Sequence, residues 1–246
     1  MEGGETRFPF FVLEDIMKHK NKNKNMNKSP LILILLGKSG SGKGTQVDLL
    51  KEKYGLDYVG SGDLLRERKK TDDFMGRKIA EVIDNGNIIT TPVIFSLWMK
   101  RFEELKKRES LNGIILDGSP RKIKEAYLMD EALEWFEWGE NTKVLLIDIS
   151  DEEAIKRLGK RKICSKCGNI VVVPAGEELD VCSKCGGELF VRPDDTLEGI
   201  KKRMEWFKAE VDPVVDFYKN NKRLTVINGE QSVEAVFNDI VKEIEK

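Results

Sequence analysis

Apolar runs of strand length alternate with helical patterns along most of this chain. The apolar runs predict strands at Leu31–Leu36, Asp57–Val59, Gly113–Leu116, Lys143–Ile149 and Leu224–Ile227. Helical patterns accompany them at about 43–54, 62–70, 74–84, 92–107, 122–136, 151–162, 196–219 and 232–245. Such an alternation predicts an α/β fold, in which helices cover both faces of a parallel sheet.

Two segments depart from this alternation. Residues 164–190 are rich in Gly, Lys and Cys and predict a small inserted module. Residues 1–29 interleave Lys with Asn, a composition too polar to offset the cost of ordering, so we predict a disordered N-terminal extension. The only histidine, His19, lies in it. Acidic residues argue against a targeting peptide, and we expect a tail or a true start at Met26.

The amino-acid composition excludes several classes of protein. The 246 residues contain 42 Lys and Arg against 43 Asp and Glu, and this balance excludes a globally basic nucleic-acid binder. A hydrophobic content of 40% supports a sizeable core, while 35% charged residues indicate a heavily charged surface. The length fits one large domain or one domain with an insertion. No apolar run approaches the ~20 residues of a membrane-spanning helix.

A glycine-rich loop, GKSGSGKGT at residues 37–45, joins the first predicted strand to the first predicted helix. Glycines let several backbone N–H groups converge on one anion, and the helix N-terminus adds the positive end of its dipole. Lys43 supplies a point charge for phosphates. The general pattern places Ser or Thr directly after the lysine, whereas here Gly44 intervenes before Thr45. We predict a phosphate-binding loop rather than a plain glycine turn.

The end of this loop, Gly-Lys-Gly-Thr-Gln, resembles that of the adenylate kinases. Further motifs of that family follow in the same order between about residues 31 and 245. They are SGDLLR at 61–66, DGSPR at 117–121, Arg157 and Arg161, RPDD at 192–195, Arg203, and Asn228 with Gly229.

The resemblance implies a P-loop nucleotide-kinase fold with a five-stranded parallel sheet flanked by helices. It implies a P-loop core of residues 30–60, 91–156 and 196–246, an acceptor-binding segment at 61–90 and a lid at 157–195. The implied reaction moves the γ-phosphate of Mg-ATP to AMP and gives two ADP. This chemistry needs charge neutralisation and in-line positioning, and no general base.

The resemblance also implies the roles of individual residues. The catalytic residues would be Lys43, Arg121, Arg161, Arg192 and Arg203. ATP would be bound by Gly37, Gly40, Ser41, Gly42, Lys43, Gly44, Thr45, Arg157, Arg161 and Gln231. AMP would be bound by Ser61, Arg66, Ile89, Gly118, Arg121, Glu125, Arg192 and Arg203. Asp117 would hold Mg²⁺ through water, and Asp194 and Asp195 would form hinge or lid ion pairs.

Four cysteines form two near-identical knuckles in the inserted module. Two residues separate Cys164 from Cys167 and Cys182 from Cys185, and 14 residues lie between the two pairs. Two such knuckles can bring four thiolates into the tetrahedron that structural Zn²⁺ prefers, although 14 is one short of the usual spacing. Disulfides are the alternative, which a reducing cytosol disfavours. Four protein ligands leave no open position, so we predict a structural zinc that stiffens the lid.

Several substitutions depart from the family pattern. Ser39 replaces a proline, Ser61 a threonine and Ser119 a phenylalanine. Glu125 stands where adenylate kinases carry a Gln that reads adenine, and a carboxylate can only accept hydrogen bonds. Guanine offers two donors that fit a carboxylate, so an acceptor such as GMP is an alternative to AMP. Glu125 could instead contact only the adenine amino group or face solvent.

Two rival functions remain open at this point: a nucleic-acid-binding zinc module, and a catalytically silent nucleotide-binding homologue. The module's basic residues come with only one aromatic, Phe190, which is poor for base stacking. We expect a cytoplasmic monomer that binds neither nucleic acid nor a membrane. Its tryptophans lie on helical patterns among apolar neighbours and predict packing residues: Trp98, Trp135, Trp138 and Trp206.

Overall fold

The computed structural model describes residues 29–85, 87–173, 177–192 and 195–246. The predicted N-terminal extension, with His19 and Met26, lies outside the described residues apart from Ser29. Asp194 also lies outside them.

A five-stranded parallel sheet forms the centre of the fold, as predicted. Its strands are β1 (Leu31–Leu36), β2 (Asp57–Gly60), β3 (Gly113–Asp117), β4 (Thr142–Asp148) and β8 (Leu224–Asn228). They lie in the order β2-β3-β1-β4-β8. Each predicted strand is present, with ends that differ by at most one residue.

Helices cover both faces of this sheet. They are α1 (Lys43–Tyr54), α2 (Ser61–Arg68), α3 (Phe74–Asp84), α4 (Thr91–Lys106), α5 (Ile123–Trp135), α6 (Asp151–Leu158), α7 (Leu197–Trp206), α8 (Asp212–Asn220) and α9 (Val233–Ile244). Strand β1 shows why both faces are needed, because its side chains point alternately to each. Ile32 and Ile34 join the core beneath α4, α5 and α8, while Leu33 and Leu35 pack against α1 and α9.

The predicted helix 151–162 is wrong in its last four residues. Helix α6 ends at Leu158, before Gly159, and strand β5 (Arg161–Cys164) follows. The backbone of β5 pairs with β6 (Ile170–Val172) on one side and β7 (Leu189–Phe190) on the other. These distant partners take the hydrogen bonds that a continued helix would have made. The result is a small antiparallel sheet in the predicted inserted module.

The predicted helix 196–219 is interrupted. Between α7 and α8 lies a π-helical turn, Phe207–Val211. Pro213 follows at the start of α8 and lacks the backbone N–H that a continuous α-helix would need at this position. Turns of this kind often occur at functional sites.

The carboxyl ends of the five parallel strands meet at one edge of the sheet. Open sheets of this type bind ligands in the crevice outside that edge. The glycine-rich loop leaves β1 there, α2 begins there after β2, and β3 ends there at Asp117. None of the helices in the described ranges is long and apolar enough to span a bilayer.

Candidate active site

The glycine-rich loop between β1 and α1 has a backbone that requires glycine. Gly37 has a φ of 148°, and a Cβ there would lie 2.6 Å from the carbonyl oxygen of Ile147. Gly42 precedes α1 with a φ of 89°, in the left-handed region. The loop therefore turns tightly into the N-terminus of α1, as an anion-binding loop must.

Lys43 is the first residue of α1 and turns its ammonium group back into the loop. Its Nζ donates to the carbonyl oxygens of Gly37 and Lys38, at 2.5 and 2.9 Å. Burial lowers the pKa of Lys43 to about 8; nearby Asp117 opposes this shift, and the positive charges of Arg121 and Arg161 add to it. An anion bound in the loop would offset the repulsion among these positive charges.

A cavity of about 890 Å³ lies over the loop. Strand β6 reaches across it, because a Cβ on Gly44 would be 3.7 Å from the Cδ1 of Ile170. The volume is in the range that holds a nucleotide-sized ligand. The structure brings nine of the ten predicted ATP-binding residues to its wall: Gly40, Ser41, Gly42, Lys43, Gly44, Thr45, Arg157, Arg161 and Gln231.

Arg157 and Gln231 line this cavity and are held by hydrogen bonds. Arg157 donates to Glu153 at 2.8 Å and to the carbonyl oxygen of Gly229 at 2.9 Å. Gln231 donates to the carbonyl oxygen of Asn228 at 3.0 Å. The Asn-Gly motif before α9 thus orients this wall of the cavity.

A second cavity, of about 350 Å³, adjoins the loop and is lined by Gly37 and Gly118. The charged side chains on its wall are all basic: Lys43, Arg66, Arg121, Arg192 and Arg203. Arg121 donates from its Nε to the carbonyl oxygen of Gly118 at 2.7 Å. Burial lowers the pKa of Arg121, and the carboxylates of Asp117 and Glu125 oppose that shift. This convergence of cations favours an anionic ligand.

Asp195 forms the ion pairs that the sequence predicted for it. Its buried carboxylate accepts from Arg161 at 2.8 and 2.7 Å and from Arg203 at 2.6 Å. Burial alone would raise the pKa of Asp195, but the hydrogen bonds from the two arginines outweigh it and hold the pKa below its ordinary value.

Three predicted acceptor-site residues line neither of the two cavities. The hydroxyl of Ser61 hydrogen-bonds the hydroxyl of Ser119 and accepts from the indole of Trp98 at 3.1 Å. Ile89 packs in the main core. Glu125 is only 4% exposed and accepts from the backbone N–H of Arg121 at 2.8 Å. The alternative in which Glu125 faces solvent is therefore wrong. Burial raises the pKa of Glu125.

Tyr58 is a site residue that the sequence analysis missed. Its hydroxyl donates to Asp117 Oδ2 at 3.2 Å. Burial raises the pKa of Tyr58, as do the charges of Asp117 and Asp63. The sequence indicates that Tyr58 lies on a strand that ends at the ligand-binding edge of the sheet. Only the order of the strands shows that Tyr58 lies beside Asp117.

The four cysteines come together in the small antiparallel sheet. All four Sγ atoms lie within 4.8 Å of one another, and the thiols are free. Cys164 and Cys185 are 3.5 Å apart, and Cys167 and Cys182 are 3.8 Å apart. A tetrahedron of sulfurs around Zn²⁺ has edges of about 3.8 Å, given Zn–S bonds of about 2.3 Å. The four thiols therefore fit a structural zinc.

The four tryptophans lie in three different environments. Trp98 and Trp138 are each 1% exposed, which confirms that they are packing residues. Trp135 is 77% exposed, so its predicted packing role is wrong. Trp206 is partly buried against the main core, which confirms its predicted packing role. It also lines the second cavity, and its ring centroid lies 5.7 Å from the guanidinium carbon of Arg121.

The chain is similar to known proteins over most of its length. The family model described as Adenylate kinase matches residues 35–223. An adenylate kinase of Caldicellulosiruptor bescii is 36% identical over 204 residues, covering 81% of this chain and 92% of that protein. One from Lactobacillus johnsonii is 39% identical, covering 83% and 94% respectively. One from Archaeoglobus fulgidus is 33% identical, covering 83% and 93%.

Proposed function

Since this chain belongs to the adenylate kinase family, we propose that it transfers the γ-phosphoryl group of Mg-ATP to AMP and releases two ADP. The observation that carries the proposal is the meeting of two cavities at Lys43, which lines both. A donor phosphate in one and an acceptor phosphate in the other would share that lysine, and in-line transfer requires such proximity.

The larger cavity is the proposed ATP site. The backbone N–H groups of the glycine-rich loop and the Lys43 ammonium would bind the phosphates. Arg161 would add a planar guanidinium, which pairs with two phosphate oxygens at once. Arg157 and Gln231, across the cavity, would contact the nucleoside end.

The smaller cavity is the proposed site of the acceptor phosphate. Arg66 and Arg121 would hold that phosphate, and Arg192 and Arg203 would close over the transferring group. The acceptor base would then reach toward Ser61, Ile89 and Glu125. These three residues line neither cavity in the structure, so base binding would require α2 and α3 to shift.

The reaction needs little from the protein beyond charge and position. The AMP phosphate is already largely ionised near neutral pH, so no side chain has to remove a proton. Asp117 would hold Mg²⁺ through its waters, because it ends β3 at the loop. When bound, Mg²⁺ neutralises charge on the phosphates. The arginines would orient both nucleotides and help to exclude water from the closed site.

We propose that different parts of the chain have different roles. The P-loop core would consist of residues 30–60, 91–156 and 196–246. The acceptor would bind to residues 61–90, and the lid would consist of residues 157–195. The four cysteines would hold Zn²⁺ to stiffen the lid, which has little apolar core of its own. Free thiols suit a reducing cytoplasm. The monomeric state stays a prediction, which sedimentation would check.

Initial rates with Mg-ATP and a panel of AMP, GMP, CMP, UMP and dAMP test the proposal, on protein whose zinc content is known. We expect AMP to be the preferred acceptor. Arg121→Lys should lower kcat/KM for AMP about 10²–10³-fold, because the bidentate fork is lost. Arg108→Lys is the matched control, since Arg108 pairs with Asp57 outside both cavities.

Two results would contradict the proposal. Preference for another monophosphate would point to Glu125 and Ser119 as determinants of a different acceptor. ATP binding without turnover of any monophosphate would indicate a silent homologue.

A further inference from the structure

Trp206 occupies a position that packing alone does not explain. It is the last residue of α7 and forms part of the wall of the smaller cavity, next to Arg121, Arg192 and Arg203. Its ring centroid lies 5.7 Å from the guanidinium carbon of Arg121, within the range of a cation–π contact. Arg121 thus contacts both this ring and the carbonyl oxygen of Gly118.

The indole N–H of Trp206 is buried and has no hydrogen-bond partner among the described residues. An unpaired buried donor is destabilising, and native structures rarely tolerate one without a reason. The charged side chains on the same cavity wall are all cationic, so the cavity favours a ligand rich in acceptor oxygens. Such a ligand can supply the partner that the fold does not.

The backbone around Trp206 is also unusual. The π-helical turn Phe207–Val211 begins directly after it, and Phe207 and Val211 line the same cavity. A π-helical turn inserts an extra residue and changes which side chains face inward. Here it lets Trp206, Phe207 and Val211 share one wall, which an uninterrupted α-helix would not do in the same way.

We propose that Trp206 is an acceptor-site residue: its ring positions Arg121, and its indole N–H donates to an oxygen of the bound nucleoside monophosphate. This inference rests on the proposed function, because it assumes that the smaller cavity receives the acceptor. It adds an aromatic wall and a neutral donor to a site otherwise built from cations.

Two variants separate the two parts of this inference. Trp206→Phe keeps a ring over Arg121 and removes the N–H. It should raise KM for AMP about tenfold, since a hydrogen bond to a charged group is lost, while kcat and KM for ATP stay within about twofold. Trp206→Leu removes the ring as well and should raise KM for AMP further and lower kcat. Trp135→Phe is the matched control, because Trp135 is 77% exposed.

Unchanged KM for AMP in Trp206→Phe would overturn the hydrogen bond. An equal rise in both KM values would overturn the assignment to the acceptor site. If Trp206→Leu has the same KM for AMP and the same kcat as Trp206→Phe, the proposed role of the ring is wrong.

Calorimetric titration with AMP, in the absence of ATP, provides a readout that does not depend on turnover. Trp206→Phe should raise the Kd for AMP by the same factor as KM. If the unmodified protein neither binds nor phosphorylates AMP, the proposed function fails. If it does both and Trp206→Phe matches it, only this inference fails.

Discussion

Arg161 and Asp195 form a bidentate ion pair with N···O distances of 2.8 and 2.7 Å. The Asp195 side chain has no exposed surface, and that of Arg161 is 12% exposed. Arg203 shares the same carboxylate at 2.6 Å. Arg161 begins β5 and Arg203 lies on α7, so one buried carboxylate joins the small antiparallel sheet to the helix and orients two arginines proposed to act on the phosphates.

Replacement of Asp195 should therefore affect both stability and turnover. Asp195→Asn removes the negative charge and leaves two arginines without their shared partner. We expect a loss of about 3–5 kcal/mol in the free energy of unfolding, the usual effect of breaking a buried pair, and at least a tenfold fall in kcat. Urea unfolding and initial rates measure these. Asp180→Asn is the control, because that carboxylate is 77% exposed and pairs with Lys162 at the surface.

The ion pair of Arg161 and Asp195 also predicts how the free energy of unfolding changes at acid pH. The arginines hold the pKa of Asp195 below its ordinary value despite burial. Its contribution to folding is therefore complete above the unfolded pKa of about 3.9 and is lost as the pH falls through the lower folded pKa. The difference in unfolding free energy between the unmodified protein and Asp195→Asn should shrink below about pH 4. A difference that stays constant from pH 7 to 3 would contradict this.

Lys43 predicts a second pH dependence, in the alkaline range. Burial lowers its pKa to about 8, so the ammonium of the free protein is lost as the pH rises through that value. Because ATP phosphates would bind the charged form, kcat/KM for ATP should fall above about pH 8. Bound phosphates favour the ammonium, so kcat should fall only at higher pH. Rate profiles from pH 6.5 to 10 at saturating AMP test this, and a flat kcat/KM for ATP would contradict it.

Local sequence patterns were sufficient for most of the fold. Strand β1 and helices α1 and α3 begin and end where the sequence predicts, because apolar runs, glycines and the polar residues beside them define these elements locally. The glycine-rich loop was predictable for the same reason. The nucleotide-binding residues implied by the resemblance also converge on the two cavities, apart from Ser61, Ile89 and Glu125.

The features that escaped prediction depend on distant partners. Strand β5 forms because Arg161 pairs with Val172, which no local pattern indicates. Tyr58 reaches Asp117 only because β2 lies beside β3 in the sheet. Trp206 faces the cavity next to a π-helical turn rather than continuing a helical face. In each case the sequence identifies the residue type, but the contact follows from tertiary arrangement.

The four-cysteine cluster predicts a dependence of the lid on zinc. Atomic-emission analysis should find about one zinc per chain, as expected for four thiolate ligands. Cys164→Ser should lose that zinc and lower kcat, because Arg161 lies on the same strand as Cys164. Ser165→Ala, in the same knuckle, is the control and should keep both. Full activity in a zinc-free Cys164→Ser protein would contradict a structural role for the metal.

Glu125 provides the sharpest test of acceptor choice. Its carboxylate accepts from the Arg121 backbone N–H at 2.8 Å, and the carbonyl oxygen of a glutamine could keep this bond. Glutamine also brings N–H donors, which adenine N1 can accept and guanine N1–H cannot. Glu125→Gln should therefore raise the ratio of kcat/KM for AMP to that for GMP by about tenfold, the effect of one well-placed hydrogen bond.

The control for this prediction lies on the same helix. Glu131 is exposed on α5, so Glu131→Gln should leave the AMP-to-GMP ratio unchanged. Burial raises the pKa of Glu125, and a protonated carboxyl can donate as an amide does. The advantage of Glu125→Gln should consequently shrink as the pH falls through the raised pKa of the native carboxyl. An AMP-to-GMP ratio that responds neither to the substitution nor to pH would show that Glu125 only holds the Arg121 backbone.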